Sequence, residues 1–408
     1  MKKKLVSLFL VFALVIATVL TIVACDNNNG DKDIDAIIAE AQNMTTEQLL
    51  AKAKEETGVF TAYGTSSRIA DAMIDFIKEY GEQLGIDNDT SKGVKKNDSD
   101  VYTLLNAEYA SKNNKGASMV MVQDGSQLIL YREESEILKN YVPSALKDVI
   151  PEGELVPLVH QYINKLIIWN KTGSGADLKV TNVWQIVDDT FMGERELFFK
   201  KPSTEQVNKN FLIMLTSDAW AKKLADAYKA LYNKDIVLDS DCPNAGYQWV
   251  KKFLTKANFS YDGDSKIAAG LEKSENAGNV GLFVLSKLRD AKDINAFQVA
   301  AWQAETESKL VEVNPFAGFM YPMYCQVATK APRPYTAMLF INYLMEKEGF
   351  AAWGKDWGAY STNSAIDVNE GDKPLSFWRD TLVIEDASYI KSNVGTVGKF
   401  IDQIVDAK

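Results

Sequence analysis

The sequence contains one histidine and three cysteines among its 408 residues. A site that needs two histidines is therefore excluded, which removes the common zinc motifs, and any serine–histidine machinery would depend on His160 alone. The glycine pattern of a phosphate-binding loop and the G-x-S-x-G nucleophile elbow are also missing. Only a pair of carboxyl groups across a cleft, as in a glycosidase, stays open as an enzymatic arrangement. We expect a protein that is not an enzyme, with no catalytic residue, no metal site and no cofactor.

The charge balance is acidic, with 45 lysines and arginines against 55 aspartates and glutamates and a formal net charge of −10 at pH 7. Such a protein is poorly suited to phosphate contacts along a nucleic acid, so nucleic acid is excluded as a partner. The balance places no limit on a small ligand, because a local basic pocket can lie within an acidic surface. The hydrophobic fraction of 46% is ample for a globular fold.

The N-terminus carries the pattern of a secretory signal that ends before Cys25. Three lysines precede an uncharged stretch, 5–24, and the small residue Ala24 precedes the cysteine. This pattern resembles the lipobox of exported bacterial lipoproteins, in which the cysteine is acylated and becomes the new N-terminus. An uncleaved membrane helix is the alternative, because 5–24 is just long enough to span a bilayer. We predict a signal peptide over 1–24 and a lipidated Cys25 with a flexible tether over 25–44. The folded part would then lie in the cell envelope, facing the periplasm or the cell exterior.

Two further features bear on the folded part. The chain after residue 24 is longer than a single hydrophobic core usually holds, so two lobes are expected. Cys242 and Cys325 either pair as a disulfide, which exported proteins can form, or remain two buried thiols.

The N-terminal third repeats a pattern of buried strand, polar turn and amphipathic helix. Thr45 and Gln48 are spaced for a capping box at the start of a helix, and 59–63 reads as a buried strand. A polar turn, 64–68, then leads into a helix that ends at Gly81. The same order recurs from 119 to 131, and the polar segment 85–100 between them is predicted as a surface loop. This order predicts α/β units with a parallel sheet.

The rest of the chain adds helices over 203–232, 244–258 and 335–348 and strands over 162–170, 281–285 and 311–315. Three stretches, 55–63, 141–143 and 334–344, are similar to the solute-binding proteins of ABC importers with the type II periplasmic-binding-protein fold. The nearest cluster contains ferric-iron, phosphosugar, thiamine and aminophosphonate binders. The resemblance implies an α/β fold of two lobes joined by crossing strands, with the ligand in the cleft between them.

The resemblance also implies an organisation and partners for this chain. The segments 160–170 and 310–316 lie where the crossing strands are expected. One lobe would comprise 45–160 plus 317–408, and the other 161–316. The expected partners are a small-molecule ligand, an ABC permease with its ATPase subunit, and the membrane through the lipid anchor. We expect the protein itself to be a monomer.

The resemblance places several polar turns at the cleft. Thr65, Ser66 and Ser67 lie at a helix N-terminus, where free N–H groups and the helix dipole favour an anion, although an ordinary N-cap explains them equally well. Tyr63 ends the strand before them. Asp124 and Gly125 form the equivalent turn after the next strand, with an N-cap again as the alternative.

Further candidate ligand-binding residues come from the first crossing strand and from the second lobe. Trp169 can stack on a ring or pack in the core, and it is followed by Asn170 at the end of the first crossing. Ser286, Lys287 and Arg289 suggest an oxyanion, although solvated surface charges are the alternative.

Tyrosines bear on the choice of ligand. Ferric binders of this cluster place adjacent tyrosines in the segment that corresponds to 281–289, and this sequence has none there. Tyr321 and Tyr324 can supply phenolates from the other side. We therefore expect a small organic solute that bears an oxyanion, with ferric iron as the alternative ligand. A scaffold or adhesion lipoprotein that reuses the fold without transport is the alternative function.

Overall fold

The computed structural model describes residues 33–111, 116–302 and 311–408. The signal peptide, Cys25 and the first part of the predicted tether lie outside the described residues. None of the helices within those ranges has the length and apolar character needed to cross a membrane.

The predicted tether is too long at its C-terminal end. Helix α1 occupies Ile34–Ala41, begins at an Asp33 cap, and buries Ile34, Ile37, Ile38 and Ala41. These positions follow the i, i+3, i+4, i+7 pattern of an amphipathic helix, which the sequence analysis overlooked. α1 packs against the helix over Pro334–Met345, so residues 34–41 belong to the folded body and not to a tether.

Twelve strands within the described ranges form one sheet. They are β1 Phe60–Gly64, β2 Ser91–Lys95, β3 Met119–Val122, β4 Leu138–Lys139, β5 Val159–Asn170, β6 Leu197–Phe199, β7 Ala257–Asn258, β8 Val280–Val284, β9 Phe297–Val299, β10 Gly318–Ala328, β11 Ala359–Ser361 and β12 Val383–Ile384. The main order is β2-β1-β3-β10-β5-β8-β6-β7. We call β1, β2 and β3 the first sheet half and β6, β7 and β8 the second sheet half; each is internally parallel.

Helices flank this sheet. Besides α1, the described residues contain α2 Thr46–Ala53, α3 Arg68–Leu84, α4 Asp98–Ala110, α5 Gly125–Ile129, α6 Asp189–Met192, α7 Gln206–Leu215, α8 Asp218–Tyr232, α9 Ala245–Lys256, α10 Asp264–Leu271, α11 Pro334–Met345, α12 Lys347–Gly354, α13 Leu375–Thr381 and α14 Ala387–Asp406. The predicted capping box is present at α2, where the Gln48 N–H donates to Thr45 Oγ1 and the Thr45 N–H donates to Gln48 Oε1. The repeated strand–turn–helix order is confirmed by β1–α3 and β3–α5.

The segment 85–100 is not the loop predicted from its polarity. Its residues Ser91–Lys95 form β2, which pairs in parallel with β1 at the edge of the sheet. An edge strand is exposed along one side, so its side chains need not be apolar. Gly93 is required here, because a Cβ at this position would lie 2.2 Å from the backbone oxygen of Ile69 in α3.

The second crossing strand was predicted in the wrong place. The strand that pairs with β5 along the centre of the sheet is β10, in antiparallel register from Gly318 to Tyr324, whereas Val311 and Asn314 make only isolated bridges. Every residue of β10 is buried, as expected for a central strand. Pro322 lies inside this strand, where it pairs with Tyr162.

Two hydrophobic cores lie against the sheet. One is built from α1 to α3, β1, α11 and α12, and the other from α7 to α10, β8 and α14. The C-terminal helix α14 contacts α7 and α9 beside the second sheet half and also α5, which follows β3 of the first. The lobe boundaries at 160 and 317 stay a prediction.

The two described cysteines are buried free thiols. Cys242 and Cys325 therefore do not form the disulfide that the sequence left open as one alternative. Cys325 lies within β10, where burial raises the pKa of its thiol. Cys242 lies in the segment before α9, and burial raises the pKa of its thiol to about 11. Both thiols are therefore poor nucleophiles at neutral pH.

Candidate ligand-binding site

A cavity of about 480 Å³ lies where the two sheet halves meet. Residues directly after β1, β3 and β6 line it, together with the last residue of β2 and the segment after β8. The carboxyl ends of these parallel strands therefore face one space, which is where open α/β sheets bind ligands. Ile163 of β5 and Tyr321 and Met323 of β10 form the central wall. The volume is that of a small-molecule site.

Six of the predicted ligand-binding residues line this cavity. They are Thr65, Ser66, Ser67, Ser286, Lys287 and Tyr321. Arg289, which the sequence analysis grouped with Lys287, lines it as well. The structure thus brings together residues more than 200 positions apart in sequence; that they contact a ligand stays a prediction.

Four other predicted residues lie outside the cavity lining and have structural partners. Asp124 is buried and caps α5, where it accepts hydrogen bonds from the Ser126 hydroxyl at 2.7 Å and from the Ser126 and Gln127 amides. The Gly125 amide donates to Glu385 at 3.1 Å. The indole of Trp169 is 1% exposed, so it packs in the core and cannot stack on a solute. Asn170 donates to the carbonyls of Leu271 and Lys273 and so holds a turn.

Tyr63 and Tyr324 also lie away from the cavity lining. The Tyr63 hydroxyl donates to Glu108 at 2.6 Å, which ties β1 to α4. Tyr324 is buried beside Gly125, where a Cβ would lie 2.7 Å from its hydroxyl oxygen. Tyr321 is therefore the one tyrosine among the described residues that line the cavity. This arrangement lacks the adjacent tyrosine pair that the resemblance associates with ferric iron.

The turn from β1 into α3 presents unused hydrogen-bond donors to the cavity. Ser67 occupies the N-cap position of this 17-residue helix, but its side chain makes no capping hydrogen bond. The Arg68 amide is instead bonded to the Ser66 hydroxyl at 3.3 Å, and Thr65 Oγ1 is bonded to Gln123 at 3.3 Å. Within the described chain, the amides of Ser66 and Ser67 have no hydrogen-bond partner. These free donors coincide with the positive end of the helix dipole.

A group of cations lies on one side of the cavity. Lys95, Lys287 and Arg289 line it, and no residue in the described ranges forms an ion pair or hydrogen bond with either lysine side chain. Burial, reinforced by the nearby Arg289 guanidinium, lowers the pKa of Lys287. Lys287 is thus a partly buried ammonium group that forms no ion pair within the described ranges, although the Asp264 and Asp356 carboxyl groups are near enough to oppose the lowering of its pKa.

Arg289 takes part in a bridge that joins the two sides of the cavity. Asp356 accepts hydrogen bonds from Arg68 at 2.8 and 2.9 Å and from Arg289 at 3.0 Å. We call Arg68, Asp356 and Arg289 the arginine bridge. The Asp356 side chain is 6% exposed, so this contact is largely shielded from water. Sequence reasoning missed Asp356, because it lies in a short connection after α12 with no motif around it.

A second group of charged residues around the cavity combines carboxyl groups with lysines. Lys165 of β5 is fully buried and contacts Asn208 at 2.9 Å, Asp264 at 3.2 Å and Glu205 at 3.4 Å. Glu205 also pairs with Lys200. These contacts hold the N-termini of α10 and α7 against β5.

Asp98 and Tyr321 complete this second group. Asp98 begins α4, is 8% exposed, and accepts a hydrogen bond from the Gln123 amide at 3.1 Å. Burial and the nearby Asp124 carboxyl hold the pKa of Asp98 well above its usual range. The Tyr321 hydroxyl has no hydrogen-bond partner in the described part of the chain, and burial beside Glu205 raises its pKa. Asp98 was missed because its segment was predicted as a surface loop.

Beyond the cavity lining, two carboxyl groups meet at the junction of α5, α7 and the strand β12. Asn210 of α7 donates to Asp124 at 3.2 Å and to Glu385 at 3.3 Å. We call Asp124 and Glu385 the carboxylate pair. Burial and the neighbouring carboxyl raise the pKa of Glu385 well above its usual range. At least one member of the pair is thus driven towards its protonated form.

Comparison with known proteins supports the fold. No protein-family model and no curated protein matches the sequence. Solved structures do match: the ferric binding protein of Campylobacter jejuni has a TM-score of 0.59 at 13% identity, over 85% of this chain and 99% of that chain. The periplasmic binding protein AgtB of A. tumefaciens R10, in complex with agropinic acid, has a TM-score of 0.58 at 13% identity, over 86% and 99%.

Iron-bound HitA of Pseudomonas aeruginosa has a TM-score of 0.58 at 11% identity, over 86% of this chain and 99% of that chain. These three neighbours are binding proteins. Together with the strand order and the cavity at the carboxyl strand ends, they show that this chain has the two-lobed α/β fold of type II periplasmic binding proteins.

Proposed function

We propose that this protein is the substrate-binding lipoprotein of an ABC importer. It captures a small polar organic solute that bears an oxyanion, holds it in the cavity between its lobes, and delivers it to a membrane permease. A separate ATPase subunit supplies the energy, so this chain performs no covalent chemistry. The observation that carries the proposal is the Lys287 ammonium group, which lines the cavity and forms no ion pair or hydrogen bond within the described ranges.

The donors around Lys287 suit an oxyanion. The Ser286 side chain lies at the same cavity, and the free amides of Ser66 and Ser67 approach from the other sheet half. An oxyanion between them would accept hydrogen bonds from both lobes and would restore neutrality around Lys287. Charge-assisted hydrogen bonds of this kind are about twice as strong as neutral ones. Because the donors come from both sides, binding would favour the closed arrangement of the lobes.

The ligands of structural neighbours are compatible with this class. AgtB was solved with agropinic acid, which shows that the fold can hold an organic acid. Ferric iron is the second candidate, because HitA was solved with iron and the cavity contains carboxyl groups. Against iron stands the single cavity tyrosine, whose raised pKa favours the neutral phenol over the phenolate that a hard cation prefers.

The location follows from the N-terminal pattern. Acylation of Cys25 would hold the protein at the membrane that contains the permease, because two or more acyl chains anchor a protein stably. Mass spectrometry of the mature protein checks this, with an acylated Cys25 as the expected N-terminal residue. An unmodified N-terminus or a retained segment 1–24 would contradict it.

A thermal-shift screen tests the ligand class. Carboxylates, phosphate esters and phosphonates are added to the protein over a range of concentrations. A ligand of the folded state should raise the Tm progressively as its concentration increases beyond its Kd. If no oxyanion raises the Tm, the transport proposal fails and a scaffold role is favoured. A ferric titration runs beside the screen, and a strong phenolate charge-transfer band would reverse the order of the two ligands.

A matched pair of variants tests whether the oxyanion binds in the cavity. Lys287→Met removes the unpaired ammonium group and should weaken oxyanion binding about 10-fold or more, since a hydrogen bond to a charged group is worth about 1.5–3 kcal/mol. Lys292→Met changes an exposed lysine outside the cavity lining and should bind as the unaltered protein does. Equal affinity of the two variants would show that Lys287 does not receive the oxyanion.

A further inference from the structure

We propose that the solute carries a cationic amino group in addition to its oxyanion, and that Asp98 receives this amino group beside the hydroxyl of Tyr321. This inference rests on the proposed function of the same cavity. It narrows the ligand class from oxyanions in general to zwitterionic solutes and amino sugar phosphates.

Asp98 differs from every other carboxyl group that lines the cavity. The others are ion-paired: Glu205 with Lys165 and Lys200, Asp264 with Lys165, Asp262 with Lys266, and Asp356 with Arg68 and Arg289. No cation in the described ranges pairs with Asp98, which accepts a hydrogen bond from the Gln123 amide. The cavity therefore contains one carboxyl group that the protein leaves without a counter-charge.

Burial makes an unpaired carboxylate at this position energetically costly. Asp98 is 8% exposed, and a buried carboxylate is stable only when it is paired or well hydrogen-bonded. The raised pKa of Asp98 reflects the same cost, because burial and the Asp124 carboxyl disfavour its charged form. An ammonium group of the solute would supply the missing charge. A neutral hydroxyl group would not, and a divalent metal would find only one free carboxyl group.

Tyr321 provides a second contact at the same place. Its side chain is 3% exposed, it lines the cavity, and its hydroxyl makes no hydrogen bond within the described chain. Burial raises its pKa, and the Glu205, Asp264 and Asp98 carboxyl groups raise it further. A neutral phenol oxygen can accept from an ammonium group, which has three donors.

Two charged groups of the cavity together define the solute. Lys287 and Asp98 both line the cavity, and neither forms an ion pair within the described ranges. A solute with an oxyanion alone would leave Asp98 unpaired, and a solute with an amine alone would leave Lys287 unpaired. A zwitterion satisfies both groups at once.

Matched pairs of probes test this inference. The pairs are glutamate and glutarate, 2-aminoethylphosphonate and ethylphosphonate, and glucosamine 6-phosphate and glucose 6-phosphate, whose members differ at one amino group. Affinities are measured by isothermal titration calorimetry. In at least one pair, the amino member should bind about 10-fold tighter or more, as expected for a hydrogen bond between charged groups.

Substitutions test whether Asp98 and Tyr321 cause the preference for the amino member of each pair. Asp98→Asn keeps the acceptor for the Gln123 amide and should abolish the preference for the amino member. Tyr321→Phe should reduce that preference without reversing it. Asp148→Asn, an exposed aspartate outside the cavity lining, is the control and should keep the preference intact.

The outcomes separate this inference from the proposed function. If the deaminated members bind as tightly as the amino members, or if the preference survives in Asp98→Asn, the inference is wrong while oxyanion capture stands. If no member of any pair binds, the proposed function fails together with the inference. Even if Asp98→Asn does not fold, the affinities of the unaltered protein for the two members of each pair test whether it prefers solutes with an amino group.

Discussion

The single histidine provides a direct test of the packing between β5 and α12. His160 is 0% exposed, and its ring lies 4.9 Å from the ring centroid of Trp353 and 5.4 Å from that of Phe350. Its Nε2 lies 2.9 Å from the Leu344 carbonyl oxygen, and its Nδ1 has no hydrogen-bond partner. An imidazolium ion in this position would carry an unpaired charge in the core. The neutral ring is therefore strongly favoured.

The pKa of His160 determines how strongly the free energy of unfolding depends on pH. Burial lowers the pKa of His160 from 6.5 to about 4. A histidine whose folded pKa is lowered stabilises the protein fully above pH 6.5 and loses that contribution as the pH falls towards 4. Since one pKa unit corresponds to about 1.4 kcal/mol, the loss between pH 7 and pH 4 should be about 3 kcal/mol.

Two measurements check this prediction. NMR of protein labelled at its one histidine should show no titration of the ring between pH 8 and 5. Urea unfolding of the unaltered protein and of His160→Gln, in which glutamine can still donate to the Leu344 carbonyl, separates this group from the carboxyl groups that titrate in the same range. The difference in unfolding free energy between the two proteins should shift by about 3 kcal/mol from pH 7 to pH 4. A histidine pKa of 6 or higher would refute the packing.

Three further substitutions probe the charges around the cavity. Asp356→Asn leaves the two guanidinium groups of the arginine bridge without their shared carboxylate, and we expect urea unfolding to show a loss of about 1–3 kcal/mol; an unchanged midpoint would contradict the bridge. Lys165→Met leaves Asp264 without an ion-pair partner and Glu205 with Lys200 alone, so the loss should be larger, about 3–5 kcal/mol, and a loss below about 1 kcal/mol would argue against the buried pairing. Glu385→Gln relieves the repulsion within the carboxylate pair and should raise the Tm at pH 7 by about 2 °C or more. That gain should shrink as the pH falls, because Glu385 takes up a proton in the unaltered protein; a constant gain would show that the pair is not strained by charge.

The turns at the strand ends could be predicted from the sequence. A buried strand, a polar turn and an amphipathic helix have a local signature, and the carboxyl ends of parallel strands lie at one edge of a sheet. Thr65 and Ser67 reach the cavity for this reason. Asp124 shares the signature, but its carboxyl group is turned inward by the capping of α5 and by Asn210. Sequence gave no means of distinguishing these two orientations.

Other parts of the site depend on long-range packing. Asp356 contacts Arg68 across 288 positions of the chain, and no local pattern marks that contact. The polar strand β2 lacks an apolar alternation because it is an edge strand, so the position of Asp98 after it was missed. Trp169 was a plausible stacking residue, but the register of β5 with β8 places its ring in the core.

The hydrophobic core beside the first sheet half contains segments from both ends of the sequence, and this limits when that core can form. The core around α1 to α3 is completed by β10, α11 and α12, which come more than 230 residues later in the sequence. Contacts of such long range form slowly, and here they cannot form at all until the last quarter of the polypeptide has left the ribosome. The polypeptide therefore remains pliable until late in its synthesis, and it gains its rigid shape only when these C-terminal elements are present.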